Sequence, residues 1–165
     1  LSAIGKIESE AYEIENVNLK ELIKEVNESI NDKIRTTKAV ITTDIDVEQI
    51  LFSRKNLRSI LYNLISNALK FSGNKAPEIH ITSKLEGEFV RLSVQDHGIG
   101  MTEKEARKVF EVYKRINEDV EGQGIGLYLV KKIVHASGGK VTVETAPGKG
   151  SKFSIFLRLE PIVFS

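Results

Sequence analysis

A two-layer α/β sandwich is the fold class predicted by this sequence. Segments of helical periodicity come both early in the chain and between segments that alternate with a period of two. About five or six strands and three main helices result, too mixed an order for an all-helical or all-strand fold. The chain has 165 residues, 41% of them hydrophobic, enough for one domain around a single core.

The elements follow in order. Residues 1–11 are polar, with Leu1, Ile4 and Ile7 at a three-residue spacing that suits the tail of a helix. Tyr12 to Val17 alternates like a strand. Asn18 stands as an N-cap with Glu21 three residues on, a capping-box pattern. Leu19, Leu22, Ile23, Val26 and Ile30 then keep helical spacing. Ala39 to Thr43 is β-branched and predicts a strand. Ser53 caps a second helix whose apolar face is Leu57, Ile60, Leu61, Leu64, Ile65 and Ala68. Ile79 to Leu85 and Phe89 to Val94 alternate around Glu86-Gly87-Glu88 and read as a hairpin. Thr102 and Glu105 form a capping box for a short helix. Ile125 to Ala136 is helical, with Leu127, Val130, Ile133 and Val134 on one face and Gly138-Gly139 at its end. Two last strands, Val141/Val143 and Phe153 to Leu159, flank Pro147-Gly148-Lys149-Gly150.

Bulk properties remove several function classes. Net charge is +1, with 24 basic and 23 acidic residues, so there is no global pull toward nucleic acid or anionic lipid, and no nucleic-acid partner is expected. There is no cysteine, hence no disulfide or thiolate chemistry. No apolar run approaches the roughly 20 residues of a membrane helix. The only methionine is Met101, so the chain is expected to be an excised piece of a longer protein.

Three polar features stand out. On a wheel of about 100° per residue, Asn63, Asn67 and Lys70 fall within a narrow stripe beside the apolar face, in line with Asn56 and Ser59. Such a stripe is either a solvated helix edge or the lining of a site, where amide oxygens ligate a hard cation and lysine meets phosphate. Asp96 shares strand parity with Val90, Leu92 and Val94, which puts a carboxylate at the end of a buried face, at a cost unless it is hydrogen-bonded. His97-Gly98-Ile99-Gly100-Met101 follows; it is either a plain turn or a loop close enough to a flat ligand for Asp96 to accept from an exocyclic amine. Finally, Gly122-Gln123-Gly124-Ile125-Gly126-Leu127 opens directly into a helix, and free N–H groups there suit phosphate. Its spacing is neither that of the dinucleotide-binding turn nor that of the P-loop.

Together and in order, these segments resemble the catalytic domain of sensor histidine kinases, with the Bergerat-type ATP-binding fold of gyrase B, the heat-shock chaperone ATPases and the mismatch-repair ATPases. Asn63 to Ser72 looks like the asparagine box, and Asp96 to Met101 like the first glycine box. Val109 to Arg115 resembles the phenylalanine box, Gly122 to Leu127 the second glycine box, and Gly148 to Ser151 the last glycine turn. The likeness runs from about residue 12 to 160, and four ordered boxes are far more specific than one.

The resemblance implies a mixed, mainly antiparallel sheet of about five strands with three main helices, over residues 12–161. Residues 1–11 would be the tail of an upstream dimerisation and phosphoacceptor helix. It implies ATP and Mg²⁺ as ligands. Asn67, assisted by Asn63, would hold Mg²⁺; Lys70 would meet the phosphates; Asp96 would bind the adenine amine beside Gly98 and Gly100. Gly122, Gly124, Gly126 and Leu127 would present backbone to the phosphates. Residues 102–123 would form a mobile lid anchored by Phe110 and Tyr113, with Arg115 placed to reach the terminal phosphate or else solvated. Asn63, Asn67, Lys70 and Arg115 would carry the catalysis.

ATP-hydrolysing relatives have a glutamate base where this chain has Asn63, so the resemblance implies phosphoryl transfer to an acceptor. None of His80, His97 and His135 stands where the acceptor histidine of the family does, so the acceptor would lie on a helical hairpin outside this chain. The implied partners are that hairpin and a response regulator, in a protein that is a homodimer at full length and a monomer as this fragment, with the domain in the cytoplasm. Two alternatives stay open: a regulatory module that binds ATP without transfer, and a serine kinase of the anti-sigma-factor type.

Overall fold

The structure, a computed structural model, describes residues 13–111 and 126–160. The proposed upstream helix tail, residues 1–11, lies outside them.

β1 (Ile14–Asn18) leads into α1 (Leu19–Ser29) through Asn18, whose side chain accepts from the Glu21 amide at 3.0 Å. The helix stops one residue earlier than its apolar spacing predicts. Ile30 leaves helical geometry (φ −117°, ψ 21°), keeps its side chain buried, and starts a second short helix, α2 (Asn31–Thr37). Lys38 ends α2 in the left-handed conformation. β2 (Val40–Ile45) follows, then β3 (Gln49–Ser53), a strand not foreseen, which pairs antiparallel with β1 in a two-stranded ribbon. Ser53 closes β3 and caps α3 (Arg54–Lys70), accepting from the Asn56 amide at 3.2 Å.

The main sheet has five strands in the order β2-β4-β5-β7-β6. β4 (Glu78–Glu86) and β5 (Phe89–Asp96) form the expected hairpin, and β6 (Lys140–Thr145) and β7 (Ser151–Arg158) pair across the Pro147–Gly150 turn. Only β2 and β4 run parallel; the other three pairings are antiparallel, so the sheet is mixed and mainly antiparallel. The short α4 (Glu103–Lys108) carries both halves of its capping box, Thr102 to the Glu105 amide at 3.1 Å and the Glu105 carboxylate to the Thr102 amide at 2.9 Å. The third long helix is α5 (Gly126–Ala136).

One core joins the two layers. Leu57, Ile60, Leu61, Leu64, Ile65 and Ala68 of α3, as predicted, pack with Leu22 and Val26 of α1 and Val130, Ile133 and Val134 of α5 over Ile81, Val90, Leu92, Val94, Phe153 and Ile155 of the sheet. Each of these side chains larger than alanine contributes about 1.5–3 kcal/mol by leaving water. The ion pairs of Glu25 with Arg54 and Arg58 (3.1 and 2.9 Å) tie α1 to α3 but are half-exposed, where solvent screening leaves such pairs little weight. Burial thus holds the layers together, and the polar groups inside it need their own explanation. Among the described residues no helix is long and apolar enough to cross a membrane.

Candidate functional site

Strand register puts Asp96 last on β5, paired with Ile79 on one side and Ser151 on the other, on the helix-facing side with Val90, Leu92 and Val94. It is 4% exposed. Its Oδ1 accepts from the Gly98 amide at 2.9 Å and the Ser151 amide at 3.2 Å, while Oδ2 accepts no hydrogen bond among the described residues. Burial pushes the carboxyl above its ordinary value, opposed by the two amide donors and the neighbouring His97.

The glycines after Asp96 are set by close approach. A Cβ on Gly98 would lie 1.9 Å from the Phe71 carbonyl oxygen and 3.1 Å from Asp96 Oδ1. The Ile99 amide donates to that same Phe71 carbonyl at 2.9 Å. The loop is therefore clamped to the C-terminal end of α3, the helix that carries the asparagine stripe. Gly100 has φ +66°, and a Cβ there would meet the Ala146 carbonyl oxygen at 1.9 Å.

On α3, Asn63 and Asn67 are half-buried and Lys70 is exposed. Asn56, in the same stripe, is buried with its Nδ2 unpartnered. Asn63 Nδ2 donates to the Ser59 carbonyl at 2.7 Å, which turns its Oδ1 toward α5. A Cβ on Gly126 would lie 2.5 Å from that oxygen, so a larger residue there would make the Asn63 amide turn aside. The stripe and Gly126, far apart in sequence, meet at this contact. The Asn67 side chain has no hydrogen bond, and Lys70 no ion pair, among the described residues. Leu127 is half-buried on α5 and packs against the core. Phe110 lies edge-on to Phe153 of β7, centroids 5.9 Å apart, which pins the end of the α4 segment to the sheet. Tyr113, Arg115, Gly122 and Gly124, and the predicted lid beyond residue 111, lie outside the described residues.

Two contributors carry no assigned role in the sequence reading: Ser151, whose amide holds Asp96, and Thr145, which bonds to Ser151 Oγ at 2.8 Å. Strand parity was the available signal, since both residues precede or follow a glycine turn on the face that holds Asp96.

The sequence profile described as histidine kinase-, DNA gyrase B-, and HSP90-like ATPase matches residues 53–161. The cyanobacterial phytochrome A of Nostoc sp. is 30% identical over 154 residues, which cover 92% of this chain and 20% of that protein. The chain thus spans about a fifth of that relative's length. The catalytic domain of histidine kinase ThkA superposes with a TM-score of 0.77 at 29% identity, covering 88% of this chain and 95% of the other. ThkA solved in complex with the response regulator protein TrrA gives a TM-score of 0.73 at 26% identity, over 89% of this chain and 42% of ThkA. The profile covers most of the chain and the ThkA domain is matched nearly end to end, so this chain belongs to the histidine kinase-, DNA gyrase B-, and HSP90-like ATPase family and is a catalytic domain of the histidine-kinase kind.

Proposed function

We propose that this chain binds ATP between Asp96 and the α3–α5 contact and passes the γ-phosphoryl group to a histidine on a helical hairpin outside the chain. The observation that carries this reading is Asp96. It is buried, its Oδ1 is held by two amides, and its Oδ2 accepts no hydrogen bond among the described residues. Oδ2 is not among the fully enclosed unpartnered atoms, so it is open to a donor from outside the protein, and the exocyclic amine of adenine is such a donor. Gly98 and Gly100 let the loop beside it pack directly on the backbone of Phe71 and Ala146, which fixes its position next to Asp96. Lys70 stands exposed at the end of α3, on the stripe of Asn63 and Asn67, where an ammonium would meet the phosphates. Gly126 and Leu127 would present the start of α5 to them. Phe110 would anchor the lid on the sheet, and Tyr113, Arg115, Gly122 and Gly124 would complete it.

The donor set fits Mg²⁺. Asn67 has an uncommitted amide, and Asn63 has an oxygen turned toward α5 by its bond to Ser59. Among the described residues no group of three or more His, Asp or Glu side chains converges. Two amides with the phosphates themselves suit an ion that is usually held by few protein ligands. When bound, Mg²⁺ offsets charge on the phosphate oxygens. Asn63 has no carboxylate with which to take a proton from water, so transfer to an acceptor is favoured over hydrolysis, with positioning supplying most of the rate. The acceptor hairpin, a dimer of the full-length protein, a downstream response regulator and a cytoplasmic setting belong to this same reading, supported by the family and by the ThkA complex.

Radiolabelled ATP tests it. The domain alone should remain unlabelled, the hairpin of its parent protein should be labelled in trans, and Asn67→Ala should reduce that labelling at least about 100-fold, on the scale of lost electrostatic positioning. Absence of label on the hairpin under every condition would favour an ATP-binding regulatory module.

A further inference from the structure

The helix-facing side of the main sheet changes character in its last row. The row Ile81–Val94–Phe153–Val143 is wholly apolar, but the next row reads Ile79–Asp96–Ser151–Thr145 across β4, β5, β7 and β6. Three adjacent strands thus end in polar side chains on the face that elsewhere forms the core.

Thr145, half-buried at the end of β6, is the junction of that row. Its Oγ1 accepts from the Met101 amide at 3.0 Å, donates to the Gly150 carbonyl at 2.9 Å, and lies 2.8 Å from Ser151 Oγ. A hydroxyl has one proton and two acceptor positions. The Gly150 carbonyl takes the proton and the Met101 amide fills one acceptor position, so the proton between the two hydroxyls belongs to Ser151. Ser151 therefore donates to Thr145 and keeps only lone pairs for anything else. The Ser151 amide meanwhile holds Asp96 Oδ1.

The same hydroxyl ties together the two segments around Asp96. Met101 ends the loop that begins at His97, and Gly150 ends the turn before β7. These segments interlock closely: Gly148 N–H donates to the Ile99 carbonyl at 2.7 Å, and a Cβ on Gly150 would lie 2.1 Å from the Asp96 carbonyl oxygen.

We propose that Thr145 is a positioning residue for base selection: its hydroxyl fixes Ser151 as an acceptor and sets the 97–101 loop, so that Asp96 and Ser151 together present acceptors to the edge of the bound base. The inference rests on the reading of Asp96 as the base-binding carboxylate. A row of acceptors takes the amine of adenine and rejects the carbonyl of guanine at the equivalent position, because two acceptors face each other without a proton between them.

The test uses Thr145→Val, which keeps the branched shape and loses the hydroxyl, and Thr145→Ser, which restores it. Titration calorimetry with ATP and with GTP gives a selectivity ratio for each protein, and amide hydrogen exchange reads Met101 without nucleotide. Thr145→Val should lower the ATP-to-GTP ratio about tenfold or more and speed exchange at Met101, while Thr145→Ser should stay within about threefold of the parent on both; these scales are those of one hydrogen bond. Ser151→Ala, which retains the amide to Asp96, should lower the ratio alone. Should Thr145→Val fail to fold, Ser151→Ala with Thr145→Ser decides the matter. An unchanged ratio in folded Thr145→Val, or in Ser151→Ala when the valine variant does not fold, overturns the proposal. Asp96→Asn is run alongside. Loss of ATP binding there with an unchanged ratio in Thr145→Val sinks this inference only, whereas unaltered ATP binding in Asp96→Asn sinks the base-binding reading itself.

Discussion

Ser83 and Asp96 are both polar, both buried, and both on the helix-facing side of neighbouring strands, yet their hydrogen bonding differs. Ser83 of β4 is fully enclosed, 0% exposed. Its hydroxyl accepts from the Val47 amide at 3.0 Å and donates to the Val47 carbonyl at 2.8 Å, and its own carbonyl takes the Asp46 amide. It closes the connection between β2 and β3, with its proton donated, one hydrogen bond accepted and no surface left for a ligand. Asp96 is held through one oxygen by two amides while its other oxygen has no donor among the described residues. Complete pairing is what a buried polar group needs for structure alone; an open position is what binding requires. Burial by itself does not separate the two residues, but satisfaction does.

The sharpest way to break the comparison is Asp96→Asn. The carboxamide oxygen still accepts from Gly98 and Ser151, but the second position becomes an N–H that faces the donor of the base. We expect ATP affinity to fall about 10–100-fold, the scale of a hydrogen bond to a charged group. The folded state should not suffer, because a carboxylate destabilised by burial is replaced by a neutral group. Calorimetry with thermal unfolding reads both; equal ATP affinity would remove Asp96 from the site.

The reciprocal change is Ser83→Ala. It leaves the amide and carbonyl of Val47 without their partner and should cost about 1–3 kcal/mol of stability. ATP affinity should not move, since nothing in the Asp96 row touches Ser83. Denaturant unfolding measures the loss. A fall in affinity without a fall in stability would mean that Ser83 communicates with the site and is not a purely structural group.

Periodicity made most of the fold legible. The α3 face, the β4–β5 hairpin and the Thr102 cap stand where spacing put them, because each follows from a local rule. β3 does alternate, with Ile50 and Phe52 buried and Leu51 exposed, but it is only five residues long and runs straight into the cap at Ser53, which makes it hard to tell from a helix lead-in. The stop at Ile30 was not legible, because an apolar residue that still faces the core gives no sign that its backbone has left the helix. In the candidate site, strand parity placed Asp96 on the buried face, where it lies. It did not find which amides hold it, since the Ser151 contact spans 55 positions and depends on β7 pairing with β5. Nor does a wheel say that Asn63 faces Gly126; that needs α5 beside α3.

The smallest expected effect is one of pH, and its two halves have opposite signs. Burial raises the Asp96 carboxyl in the folded domain, so the folded state binds that proton more tightly than the unfolded chain does. Its contribution to stability is then fully present below the ordinary aspartate value and is lost as pH rises through the raised one. Nucleotide binding runs the other way. The ionised carboxylate is the stronger acceptor for an amine, so ATP affinity should rise through the interval in which stability falls. Asp96→Asn should abolish both trends, and subtracting it also cancels the titration of the nucleotide's phosphates. Unfolding free energies and ATP affinities of the two proteins at a series of pH values give the differences. A stability difference that grows with pH in favour of the carboxylate would mean that Oδ2 already has a donor in the free domain. Asp96 would then be a closed polar group like Ser83, and adenine would have to be recognised elsewhere.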